Sequence, residues 1–226
     1  MIYSLTPVFI SEIKKSTYKP PNAEEKKPSY IITKFGEKVF KPIIVGTVVD
    51  KYLNQDATYM RITVNDETSS INVKIFNPLD ISIEIGDVVI VWGKIRETNE
   101  KFIKADFVKK VDENFEIFLK KKILKRLEEK TEWLKNALEY LELVSIEEFK
   151  DFCKESFNMD DDQIKEVLKN RLNEEKIYEI AKKLKVFSFF DLQQILGLNE
   201  EEIKGFIENL KKEGKIIEEN GKYKVL

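Results

Sequence analysis

Between Ile43 and Val111 the chain alternates apolar and polar residues in five stretches, each closed by turn-forming residues. Alternation of this kind places successive side chains on opposite faces of a strand. The five predicted strands are Ile43–Leu53, Tyr59–Val64, Ser70–Phe76, Asp87–Arg96 and Phe102–Val111. Asn65-Asp66-Glu67-Thr68 supplies a turn between the second and third, and Thr98-Asn99-Glu100 a hairpin loop between the fourth and fifth. Pro78 to Ile85 reads as a short connection of about one helical turn. Gly46 is expected to mark a bulge, Gly86-Asp87 to turn the chain, and Gly93 to bend the fourth strand. Short, strongly bent strands of this number suit a small closed barrel, in which no strand edge is left unpaired.

The flanks read differently. Residues 1–42 form an extension in which a polar, proline-bounded loop, Lys19 to Pro28, separates two apolar pieces, Val8–Ile13 and Tyr30–Phe35. Both pieces are expected to pack on the barrel. Residues 112–143 carry a helical stripe of Phe115, Phe118, Leu119, Ile123, Leu127, Leu134, Leu138 and Leu141, read either as one long helix or as two that break near Thr131. The stripe fits a partner subunit or the chain's own barrel. Residues 144–226 continue with helices. Ser145-Ile146-Glu147-Glu148 is a capping box, and Ile164, Val167, Leu168 and Leu172 mark a helix, as do Ile177, Ile180, Ala181 and Leu184. Ser188 opens a short helix ending at Gly197. Asn199 caps another, with Ile203, Phe206, Ile207 and Leu210 on one face and Gly214 beyond its end. Asn220-Gly221 then turns a hairpin within residues 215–226. Three helices followed by a hairpin is the order of a winged helix-turn-helix. The fold class expected is therefore α+β and multi-domain: an N-terminal five-stranded barrel, a helical middle and a C-terminal winged helix.

Composition removes whole classes of chemistry. The 226 residues include no histidine and one cysteine, Cys153. Ser-His-Asp and Cys-His nucleophile systems are excluded, as are ordinary zinc sites and an internal disulfide. No glycine-rich phosphate loop of the common kinds occurs. Asp160-Asp161-Asp162 lacks the spacing of a calcium loop and suits the acidic first turn of a helix. No catalytic residue, metal or cofactor is expected. The N-terminus lacks the pattern of a signal peptide and the apolar runs are too short to span a bilayer, so a cytoplasmic protein without membrane contact is expected. The net charge of −2 is unevenly spread: residues 1–111 hold 17 Lys and Arg against 14 Asp and Glu, and residues 112–226 hold 22 against 27. Phosphate contact is therefore expected in the first half.

The strand period sharpens that expectation. Met60, Ile62 and Val64 face the core of the second strand, and Ile71, Val73 and Ile75 that of the third. Tyr59 and Arg61 then share an outer surface with Asn72, Lys74 and Phe76 if the two strands pair antiparallel. In the fourth strand Trp92, Lys94 and Arg96 point outward, and in the fifth Phe102 and Lys104 do, with Ile103, Ala105 and Phe107 inward. Exposed rings stack on bases and neighbouring cations hold phosphates. The plainer reading of any one of these rings is a patch covered by another part of the chain.

The run Gly86-Asp87-Val88-Val89-Ile90-Val91-Trp92-Gly93-Lys94-Ile95-Arg96 resembles the fourth strand of the small-subunit barrel of replication protein A. IIVGTVVD, INVKIF, PVFISEIKKSTY and PSYIITKFGEKV fit the same archaeal small-subunit-like and replication-protein-A-associated family. The resemblance implies an oligonucleotide-binding (OB) barrel for single-stranded DNA in replication, repair and recombination. It implies partner subunits on the helix after the barrel, through Phe115, Phe118, Ile123, Leu127, Leu134, Leu138 and Leu141. It also implies replication or repair proteins on the winged helix. The family's stacking ring at the end of the third strand matches Phe76. Its second ring falls on Thr98, between Glu97 and Glu100, where this chain has none unless Phe102 takes the role. Two other readings stay open: an adaptor subunit with little DNA binding of its own, and a duplex-DNA regulator. The acidic start Asn199-Glu200-Glu201-Glu202 of the would-be recognition helix opposes the last.

Overall fold

The computed structural model of the chain describes residues 4–24, 27–78, 82–141, 143–169, 174–196, 200–219 and 221–226. Two compact units divide at Glu166 and Val167.

The first unit holds β1 (Leu5–Pro7), α1 (Ile10–Lys15), β2 (Thr17–Lys19), β3 (Tyr30–Ile32), β4 (Lys38–Val39), β5 (Lys41–Leu53), β6 (Tyr59–Asn65), β7 (Ser70–Phe76), β8 (Val88–Glu97), β9 (Lys101–Lys110), α2 (Glu113–Leu141), α3 (Ile146–Phe157) and the start of α4 (Asp161–Lys169). The five expected strands are β5 to β9. They pair in the order β5-β6-β7-β9-β8, and β8 returns to β5, so the sheet closes into a barrel. All pairings are antiparallel except β7 with β9. The interior is the alternating set read from the sequence: Met60, Ile62, Val64, Ile71, Val73, Ile75, Val89, Val91, Ile95 and Ile103 are all buried.

Both glycines inside strands mark close backbone approach. A Cβ on Gly46 would overlap the Asn65 carbonyl oxygen. The bulge expected there lies instead between Val48 and Asp50, where β5 shifts register against β6. At Gly93 β8 shifts register against β9: Trp92 faces Phe107 and Gly93 faces Ala105, so Asp106 is the extra residue.

The extension plugs and laces the barrel. Ile10, Ile13, Ile31 and Val39 join its core, and full burial of one such side chain contributes about 1.5–3 kcal/mol. β1 runs parallel to β5, and β2, β3 and β4 form a small sheet. The Asp66 carboxylate, 2% exposed, accepts the Ile10 N–H at 2.7 Å and the Thr68 and Ser69 N–H groups at 3.0 and 3.2 Å. It thereby ties the start of α1 to the β6–β7 turn. The Pro78–Ile85 connection lies partly outside the described residues.

α2 is one continuous helix through Thr131. Leu119 and Ile123 bury against Phe9, Val45 and Ile90, with Leu127 alongside. Farther along, Tyr140 meets Phe149 and Phe152 of α3, and Trp133 meets Phe157. Ser145 and Glu148 form the expected capping box of α3. Residues 144–166, the first part of the helical region that precedes the expected winged helix, pack as part of the barrel's unit. At the start of α4, Asp160 accepts the Gln163 N–H at 3.1 Å, and each carboxylate of the aspartate triplet has a lysine: Lys38 at Asp160, Lys154 at Asp161 and Lys19 at Asp162.

The second unit runs α5 (Glu174–Leu184), β10 (Val186–Phe187), α6 (Phe189–Leu196), α7 (Glu200–Lys212), β11 (Ile216–Glu219) and β12 (Lys222–Val225), with sheet order β10-β12-β11. Its core joins Ile177, Ala181, Phe187, Leu192, Ile203, Ile207, Leu210 and Ile216. Ser188 accepts the Asp191 N–H at 3.2 Å and caps α6, and Gly214 ends α7 at φ +68°. The expected features at Leu172, Gly197, Asn199 and Asn220 lie outside the described residues.

Candidate nucleic-acid interface

The register of β6 and β7 puts Tyr59 beside Phe76, Arg61 beside Lys74 and Thr63 beside Asn72. β9 extends these rows: Phe102 lies beside Asn72, and Lys104 beside Lys74. β8 extends them again, with Lys94 beside Lys104 and Arg96 beside Phe102. The expected residues on β6, β7 and β9 therefore share one outer surface, and Lys94 continues it.

Rings line one end of that surface. Phe76 is 53% exposed, its centroid 5.5 Å from that of Tyr59. Tyr52 of β5, which the sequence reading passed over, stands 6.4 Å from Tyr59 and is 51% exposed. Its omission has a definite cause. Strict alternation from Ile44 turns Tyr52 into the barrel, and the bulge between Val48 and Asp50 reverses that phase, so Tyr52 lies beside outward-facing Arg61. The only sequence signal was the tyrosine itself.

Cations occupy the row between the Tyr59–Phe76 pair and the Asn72–Phe102 pair. The Lys74, Lys104 and Lys94 row crosses three strands, and among the described residues none of them pairs with a carboxylate. Lys74 stands 3.7 Å from the Phe102 centroid and Lys104 5.0 Å from that of Phe76. Like charges directly opposite one another on a sheet are destabilising, so this row carries a cost that a bound polyanion relieves. The Thr63 hydroxyl donates to Asn72 Oδ1 at 3.0 Å, so the bond engages the amide oxygen and not the N–H2 group. In the β8–β9 loop Glu97 pairs with Lys101 at 3.5 Å and Glu100 with Lys14 at 3.6 Å. The two acids that flank the position of the family's second ring are thus partly neutralised by the chain itself.

Other expected site residues are placed elsewhere. Trp92 stacks on Phe107 at 3.8 Å and joins the cluster beneath α2. The extra residue Asp106 turns Phe107 outward to meet it, where the sequence reading had Phe107 inward and Trp92 free to bind. Arg96 donates to the buried Ser29 hydroxyl and, at 3.0 Å, to the Ile95 carbonyl, so it fastens the extension instead of facing a ligand. On α2, Ile123, Leu134 and Leu141 are buried within this chain, and Leu127 and Leu138 are half-buried. The chain's own packing takes these five residues of the stripe and leaves Phe115 and Phe118 exposed. The exposed apolar residues of α2 are Phe115, Ile117, Phe118 and Leu124, at 37%, 51%, 53% and 50%. Among the described residues no group of acidic and cysteine side chains is disposed to hold a metal, and no helix is long and apolar enough to cross a membrane.

Similarity to known proteins centres on the same region. Residues 43–121 match the family model described as an OB-fold nucleic acid binding domain. An uncharacterized protein of Methanocaldococcus jannaschii is 29% identical over 158 residues, 69% of this chain. That alignment spans 64% of the relative, less than two thirds of its length. Among solved structures, a chain of the S. pombe Stn1-Ten1 complex is 23% identical, with a TM-score of 0.49 over 58% of this chain and 96% of that one. A chain of a replication protein A heterotrimer bound to single-stranded DNA is 22% identical, with a TM-score of 0.47 over 56% of this chain and 98% of that one. The closed β5-β6-β7-β9-β8 order and the family match agree: the barrel is an OB fold, and residues 43–121 are similar to the OB-fold nucleic acid binding domains.

Proposed function

We propose that the chain is a single-stranded-DNA-binding subunit of a replication protein A-like complex, acting in replication, repair and recombination in the cytoplasm of an archaeal cell. The observation that carries this reading is the outer surface of β6, β7 and β9, where exposed rings adjoin a row of lysines that lack carboxylate partners. Rings accept any base by stacking and lysines accept any phosphate, so the surface suits a single strand without strong sequence preference. The reading is one of binding and not of catalysis, and two facts support it: the sequence has no histidine, and burial pushes the Cys153 thiol up to about 11.

In this reading the exposed α2 residues Phe115, Ile117, Phe118 and Leu124 meet partner subunits. The second unit is a winged helix that recruits other replication or repair proteins. Its α7 begins at Glu200, which is an unfavourable approach to a duplex.

The test is a fluorescence titration of the whole chain with single-stranded and duplex oligonucleotides over a salt series. Preference for the single strand is expected. Phe76→Ala should weaken it by about 1–3 kcal/mol while leaving thermal stability nearly unchanged, because the ring is half exposed. A large fall in melting temperature would show the ring to be a packing residue. Replacing Lys74 and Lys104 together by Gln should flatten the plot of log K against log salt by about 1.4, at roughly 0.7 per phosphate lost from a single strand. An unchanged slope would remove the lysine row from the interface.

A second reading, an adaptor with minor DNA contact, is favoured by the absence of a ring in the β8–β9 loop and by the apolar exposure on α2. Undetectable DNA binding by the chain alone, with tight association to partner subunits, would select it.

A further inference from the structure

The geometry points to a base-reading subsite at the β5 edge of the platform, formed by Tyr52, Arg61 and Asp50 and selective for guanine. It rests on the single-strand reading above and adds a position at which the protein distinguishes one base.

Three observations converge there. Tyr52 is 51% exposed and stands at the outer end of the ring series that runs through Tyr59 to Phe76. A strand crossing β7 and β6 therefore meets Tyr52 next. Arg61 lies beside Tyr52 in register, its Cζ 5.8 Å from the ring centroid, so donors flank any base stacked on that ring. Asp50 lies two residues from Tyr52 and its carboxylate accepts from Arg61 Nη2 at 3.2 Å. The acceptor pair and the donor fork are thus adjacent at the rim of one exposed ring.

The state of Arg61 shows that its donors are not used up. One N–H is spent on Asp50, across a pair whose side chains are 42% and 53% exposed, and such pairs open at little cost. Nε is enclosed and meets no acceptor among the described residues. Unlike Lys74 and Lys104, which offer only charge, Arg61 and Asp50 together offer a directional pattern of donors beside acceptors.

That pattern has one best match among the bases. Guanine presents two neighbouring donors, N1–H and N2–H2, beside the acceptor O6. The carboxylate of Asp50 takes the two donors, and the guanidinium of Arg61 takes O6. Cytosine, adenine and thymine each offer the carboxylate a single donor group on that edge. Stacked bases read on their Watson–Crick edges are the usual way in which single strands are recognised by sequence.

The experiment uses the full chain and a set of ten-nucleotide oligo-dT strands, each carrying one dG, dA or dC at one position. One position should favour dG over the other bases by about fivefold or more, the lower end of what a bidentate contact supplies. In Asp50→Asn that preference should vanish while oligo-dT binds more tightly than to wild type, since a negative charge beside the strand is lost and Arg61 is released. In Tyr52→Leu the preference should vanish and oligo-dT should bind about fivefold more weakly. If wild type binds every strand alike, or if Asp50→Asn keeps the dG preference, the subsite is overturned. If Phe76→Ala weakens oligo-dT binding and Tyr52→Leu does not, the platform stands and this edge is not part of it. If wild type binds no single strand, the platform and the subsite fall together.

Discussion

Arg126→Met should destabilise the first unit by about 3–5 kcal/mol at neutral pH, the range for removing one partner of a buried ion pair. Arg126 is bound to two carboxylates of the extension. Its guanidinium donates to Glu12 at 3.1 and 3.2 Å and to Glu37 at 2.6 and 3.2 Å, and the three side chains are only 15%, 12% and 23% exposed. Burial holds the Glu12 carboxyl above its ordinary value even though Arg126 pulls it down. Without Arg126, burial and the Glu37 charge are opposed only by the Phe9 N–H bond, and the carboxyl rises further. A carboxyl whose folded-state value lies above its unfolded one binds its proton more tightly when folded, so it favours the fold below that range and loses this contribution as pH rises through the folded value. The deficit of the variant should therefore shrink as pH falls toward the ordinary glutamate value of 4.5. Denaturant unfolding of wild type and variant at pH 7 and pH 5 measures this. An equal deficit at both values would show that the loss is one of packing alone.

Gly93→Ala should cost about 3 kcal/mol, the upper part of the range for overpacking a dense site, and should weaken single-strand binding as well. The added Cβ would overlap the Lys104 carbonyl oxygen and lie 2.8 Å from Ala105 Cα. Both neighbours are backbone, so neither can swing aside as a flexible side chain could. Relief requires β8 and β9 to separate, which carries Lys104 and Lys94 out of the lysine row. Thermal unfolding with an oligo-dT titration at a temperature where the variant is folded would register both effects. Unchanged melting would mean that the sheet relaxes freely at this point.

The parts of the fold that were legible in sequence are those governed by local periodicity. Met60, Ile62, Val64, Ile71, Val73 and Ile75 fix two core faces by a period of two, and the same period delivers Tyr59, Arg61, Asn72, Lys74 and Phe76 to one surface. What was not legible depends on residues that break the period or arrive from far away. The bulge after Val48 brings out Tyr52, and the extra residue Asp106 sends Phe107 to Trp92. Arg96 looks like any outward cation until Ser29, 67 residues earlier, is seen to receive it. The α2 stripe reads as a single apolar surface, yet Ile123 packs on the barrel while Tyr140, farther along, meets α3. A one-dimensional pattern gives the hydrophobic residues and not the neighbours that claim them.

The contacts of the extension set an order of events when the chain is made. Ile10 waits for Asp66, Ser29 for Ile95 and Arg96, and Glu12 for Arg126. The residues of the extension are thus made before every one of the partners that hold them. Of these partners only Arg126 lies beyond the last barrel strand, so its link to Glu12 and Glu37 is the last of the contacts to become available. A chain cut before residue 126 would keep the barrel residues that bury Ile10 and Ile13 but would leave Glu12 and Glu37 without the guanidinium that joins them.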